Sequence, residues 1–205
     1  AAKNAGRLLM IGHVLPYFPE YAAALRIVSQ KKYGRVLGGN FRRIIADPLW
    51  IKDYYRPDRV GGPMLDLHVH DAHFIRLLFG MPEAVTSQGR MRGDVVEYAT
   101  TLFHFADRRL AVSAASGVIE QQGRSFAHGF EIHLERATLL YEFGVFAGEP
   151  RLVLPLTILD SRGNAARPKL PGSGDPMDAF RAELNDVVAA SIRGESSPNL
   201  DAELA

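Results

Sequence analysis

Between Glu83 and Phe143 the apolar residues tend to fall on alternate positions, as in VEYATTLFHF and EIHLER. That spacing is the pleat of strands that bury one face, so the frame of the fold is a mostly antiparallel sheet with its second face free. VEYATTLFHF and LAVSAASGVI are separated by ADRR, a hairpin turn by composition, and TLLYEF follows EIHLER after a bend at Ala137. LVLPLTIL reads as an edge-like strand because Pro155 lacks an amide hydrogen. The side chains of AVSAASG are small and predict a flat patch on which a second sheet could lie, which makes a homo-oligomer through the open face the expected assembly.

Helical segments surround this stretch. PYFPEYAAALRIVSQKKYG predicts an extended joint and a helix from about Pro19 to Lys32, RVLGGNFRRIIA a strand, and DPLWIKDYYRPDRVGG an aromatic-rich loop. PMDAFRAELNDVVAASIRG reads as a last helix stopped by Gly194. At the other end, AAKNAGRLLMIGH looks like a helix end, a glycine stop at Gly6 and a buried strand over Leu8 to Ile11. The fold class expected is α+β: a mostly antiparallel open sheet with helices on one face, preceded by a short α/β remnant.

Composition removes several function classes. The 205 residues carry a formal net charge of +1, and the basic pairs are dispersed, so no stripe suited to a nucleic acid backbone exists. The absence of cysteine excludes disulfides and thiolate chemistry. No apolar run is long enough for a membrane helix, and no signal-peptide pattern occurs, so the expected location is the cytoplasm.

The segment GGPMLDLHVHDAHFIRLLFG is the chemical anomaly. At 100 degrees per residue Asp66, His70 and His73 share one sector of a helix that is otherwise apolar nearly all round, while His68 points away and Asp71 lies off the stripe. A polar row on a buried helix is expected to line a cleft. The glycine pair Gly61 and Gly62, with Pro63, supplies a tight start. Three readings compete on spacing alone: His70 as general base with Asp66 holding its tautomer, a metal site using Asp66, His70 and His73, or a hydrogen-bonded polar cluster without chemistry.

The same segment resembles the stretch GGG-x-L-x-D-x-G-x-H-x-x-D-x-x-R-W-L-x-G of the glucose-fructose oxidoreductase, inositol dehydrogenase and rhizopine catabolism (Gfo/Idh/MocA) family of NAD(P)-dependent oxidoreductases. IGHVLPYFPEY is similar to that family's passage out of its nucleotide-binding domain, YGRVLGGNFRR to the first strand of its second domain, and DAFRAELNDVVAASIRGESSP to its late helix. The resemblance implies reversible oxidation of a sugar or polyol hydroxyl, with Asp66 and His70 as the catalytic pair. It also implies residues 1–15 as a remnant of the nucleotide-binding domain and 16–205 as the substrate-binding and oligomerisation domain. His13, Tyr17, Trp50, Tyr55 and His73 are the candidate substrate residues. Departures from the family pattern are Pro16 in place of arginine, His73 in place of aspartate and Phe79 near the usual tryptophan-leucine.

No G-x-G-x-x-G occurs in the chain. NAD or NADP is therefore expected to bind the full-length parent and not this piece, which alone is expected to be inactive. The alternative is a non-catalytic ligand-binding or dimerisation module of the same fold.

Overall fold

A computed structural model of the chain describes residues 1–172 and 175–204. Eight strands form one sheet: β1 (Val36–Ala46), β2 (Ala84–Arg92), β3 (Val95–His104), β4 (Ala111–Ile119), β5 (Arg124–Leu134), β6 (Ala137–Phe146), β7 (Glu149–Asp160) and β8 (Ala165–Ala166). Their order across the sheet is β2-β3-β4-β1-β5-β6-β7-β8. All neighbours are antiparallel except β1 and β4, which run parallel from Gly38 opposite Ala111 to Ala46 opposite Ile119. The alternation read from the sequence appears directly in β3, where Val95, Glu97, Ala99, Thr101 and Phe103 are buried and their neighbours are not. Near Pro155 the β6–β7 register skips between Leu140 and Glu142, the bulge that a residue without an amide hydrogen imposes.

Among the described residues three α-helices complete the fold: α1 (Pro19–Ser29), α2 (Val69–Phe79) and α3 (Met177–Arg193). Pro19 sits in the first turn of α1, where its fixed φ suits a helix start. Tyr21, Ala24 and Ile27 of α1 and Phe74, Ile75 and Leu78 of α2 pack on Phe41, Val112, Ala114, Phe130, Ile132, Leu139 and Tyr141 of the sheet. The Tyr21 ring meets Phe74 and Phe130 edge-on at 5.0 and 5.1 Å. Each large side chain so buried stabilises the fold by about 1.5–3 kcal/mol. The opposite face of the sheet is open, with a shallow cavity of about 370 Å³ over Asn40, Arg42, Ser113, Ala115 and Glu142.

Two expectations change. The first residues form a single 3-10 turn at Lys3–Ala5, and the strand expected over Leu8 to Ile11 shrinks to one bridge between Met10 and Asp201, with Leu8 and Leu9 exposed. A strand needs a neighbour to pair its amides, and among the described residues only the segment around Leu200 and Asp201 supplies one. The first helix stops at Ser29, short of Lys32, because Lys31 takes a positive φ of 51°. No helix among the described residues is long and apolar enough to cross a membrane.

Candidate active site

Gly61 and Gly62 both adopt positive φ, 79° and 73°. A Cβ on Gly62 would collide with Val95 at the start of β3, so only glycine lets the chain cross there and turn into the helix. The chain does not enter α2 through an α-helical turn. Met64–His68 forms a π-helical turn before α2 begins at Val69. Asp66 is the third residue of this turn, and the sequence spacing would pair it with His70. Its Oδ2 instead accepts a hydrogen bond from the Tyr54 hydroxyl at 3.1 Å. Among the described residues no hydrogen bond joins Asp66 to His70.

The two histidines of the expected row do meet, around a third from elsewhere in the chain. His13, from the joint before α1, lies 5.4 Å from the His70 ring and 4.5 Å from the His73 ring, centroid to centroid. His13 and His73 are 5% and 3% exposed, so that end of the row does not line an open cleft, while Asp66 and His70 reach partway to the surface. The Nδ1 atoms of all three, and Nε2 of His73, are buried without a hydrogen-bond partner. Burial is the largest cause in lowering their pKa values: His70 to about 4, with the charge of Arg43 and the two other imidazoles adding to it, His73 to about 4, and His13 in the same direction. All three rings are therefore neutral near pH 7, the form that accepts a proton.

The remaining candidates are dispersed. Tyr55 donates to Asp47 at 2.8 Å and carries the Arg92 guanidinium over its ring at 4.3 Å, beside a cavity of about 350 Å³ that Tyr54 also lines. Trp50 stands 71% exposed on the same loop. Tyr17 donates to Asp186 of α3 at 2.6 Å, and Ser197 donates to the same oxygen, so its hydroxyl ties the joint to the last helix. His68 pairs with Ser116 of β4 at 3.0 Å, away from the cluster as its helical position predicted. No group of three or more His, Asp or Glu among the described residues is placed to hold a metal ion.

Two partners escape the sequence pattern to different degrees. Tyr54 is lost in an aromatic loop whose path no periodicity sets. Arg43, by contrast, leaves a signal: it shares the parity of Phe41 and Ile45, the buried face of β1, where an arginine needs an acid. That acid is Asp71, held by Arg43 Nε and Nη2 at 3.0 and 3.2 Å.

Residues 21–140 match the family model described as the GFO/IDH/MocA C-terminal domain. The chain belongs to the GFO/IDH/MocA family. Solved structures with the same fold include a levoglucosan dehydrogenase in complex with NADH, 18% identical, with a TM-score of 0.75 over 98% of this chain and 61% of that one. An aldose-aldose oxidoreductase from Caulobacter crescentus, complexed with glycerol, is 15% identical with a TM-score of 0.74 over 98% and 58%. An oxidoreductase from Agrobacterium radiobacter, in complex with NAD+, L-tartaric acid and magnesium, is 13% identical with a TM-score of 0.65 over 98% and 60%. This GFO/IDH/MocA chain thus spans about three fifths of the length of those structures. No curated protein matches it in sequence.

Proposed function

We propose that this chain is the substrate-binding part of an NAD(P)-dependent oxidoreductase that interconverts a sugar or polyol hydroxyl and the corresponding ketone, with His70 taking the hydroxyl proton. The observation that carries the reading is the His70 ring: neutral and partly exposed, with its Nδ1 turned into the interior, at the position where family resemblance implies the proton acceptor. Alcohol oxidation needs the hydroxyl proton to leave as the carbon is oxidised, and a fixed neutral imidazole contributes about 10²- to 10⁴-fold to such a step. Asp66 with the Tyr54 hydroxyl supplies a second polar point within the same helix start, beside the cavity that Tyr54 and Tyr55 line. His13 and His73 back the His70 ring and Tyr17 braces the joint, so these three shape the site from behind.

The residues of this chain do not fit a dinucleotide. They include no glycine-rich fingerprint, and the one parallel pair among the described residues, β1 and β4, is joined through α2 and a hairpin instead of a βαβ unit. The redox half of the reaction accordingly belongs to a cofactor held elsewhere in a longer protein, and the residues of this chain take no part in it. In this reading residues 16–205 form the substrate-binding and oligomerisation domain, 1–15 belong to the nucleotide-binding domain, and the open sheet face receives a second copy.

The test uses the full-length protein with NAD+ or NADP+ and a panel of sugars and polyols. His70→Ala is expected to lower kcat/KM at least about tenfold, and unchanged turnover overturns the proton role. Because a base loses activity only when protonated, the acid limb of kcat/KM should fall near pH 4 and not near the ordinary imidazole value.

A further inference from the structure

Beneath the first turns of α2 lies a charged pair that the proposed reaction does not touch. Asp71 is wholly buried and Arg43 nearly so, and they are joined by a two-pronged hydrogen bond. A buried ion pair adds little net stability, because desolvation of two charges cancels most of their attraction, and well-packed apolar residues often serve as well or better. The pair is better explained by what it holds. Asp71 follows His70 directly in the chain, and Arg43 stands in the middle of β1 between β4 and β5. The network continues on the far side, where the Tyr21 hydroxyl, within reach of Arg43, lies 2.8 Å from His128 Nδ1 of β5.

We propose that Arg43 and Asp71 are positioning residues for His70: the doubly hydrogen-bonded pair pins the backbone next to His70 to the central strand and fixes the charge beneath this part of the helix. This rests on the reading of His70 as the proton acceptor, but its physical content can be measured without turnover. The groups that act on His70 are His13 from the joint, with its ring 5.4 Å away, Arg43 from β1 and His73 from its own helix. The two imidazoles are neutral, so Arg43 is the one standing charge among them. The pair is also polar along its length. Its Arg43 end acts on His70 and His128, holding both down in addition to burial, whereas its Asp71 end acts on His68 in the opposite sense.

That opposition defines the experiment. Histidine titrations are followed by NMR in the protein and in two paired variants, Arg43→Met with Asp71→Leu and Arg43→Gln with Asp71→Asn, neither of which leaves an orphaned charge. The midpoints of His70 and His128 are expected to rise by roughly half a pH unit or more, while that of His68 falls or stays. A loosened core would instead carry all three upward together, and that result, or a His70 midpoint unmoved in a folded variant, overturns the proposal. If the apolar pair fails to fold, the Gln/Asn pair, which keeps the hydrogen-bonding shape, decides the matter. In the full-length protein the Gln/Asn pair should move the acid limb of kcat/KM upward with KM little changed, and Arg43→Lys, which keeps the charge and loses the fork, should lower kcat without moving that limb. Loss of the NMR pattern refutes the positioning role alone; an intact pattern with unchanged turnover in His70→Ala refutes only the catalytic reading.

Discussion

Helices α2 and α3 invert each other's logic. Around α2 the interior receives Asp71 and His73 as well as Phe74, Ile75 and Leu78, and each polar group inside lies against another. On α3 the inward face is Ala179, Glu183 and Ala190, while Met177, Phe180, Leu184, Val188 and Ile192 form an exposed stripe along the whole helix, with Ile192 82% exposed. A stripe of that length is not a feature of a free surface. The contrast separates two arrangements of a helix: α2 turns its varied side chains into the interior of this domain, and α3 leaves its apolar stripe uncovered.

Substitutions can break this contrast, beginning with the largest expected effect. Phe74→Ala should cost about 3–5 kcal/mol in chemical denaturation, because the ring sits among Tyr21, Phe41 and Phe130 and leaves a cavity. Asp71→Leu alone, with Arg43 left buried and unpaired, should cost a similar 3 kcal/mol or so, and the paired change with Arg43→Met should recover most of it. Acid should act next. His70, His73 and His128 have folded pKa values of about 4, 4 and 3, below the ordinary value, so the unfolded chain binds more protons once the pH drops under about 6.5. Stability is then full above that point and declines as the pH falls toward 4, by up to roughly 1.4 kcal/mol per pH unit for each such group. Urea midpoints at pH 7 and pH 5 check the sign, and His128→Phe should shallow the decline. The smallest effect belongs to α3: Leu184→Lys with Ile192→Lys should change the melting free energy of this chain by no more than about 0.5 kcal/mol. A large loss there would mean that α3 supports the domain itself.

Much of this molecule is legible as pattern. Period two announces β3 to β6, Pro155 marks a broken ladder, Gly194 ends α3 at a φ of 73°, and two glycines mark the crossing before α2. The helical wheel gives Asp66 the wrong partner because it weighs only positions on one helix, whereas the carboxylate is taken by the Tyr54 hydroxyl from the preceding loop. His13 cannot be grouped with His70 and His73 by any spacing, since it lies 57 positions before the first of them.

Hydrogen-bond period and side-chain polarity act between near neighbours, and so strands, helix ends and the family pattern can be read along the chain. Parallel pairing of β1 with β4, the Tyr54 hydroxyl on Asp66, the Arg43–Asp71 lock and the imidazole trio depend on which distant segments the packed core brings within a few ångströms. No local rule carries that information, because it exists only once the core has packed distant segments against one another.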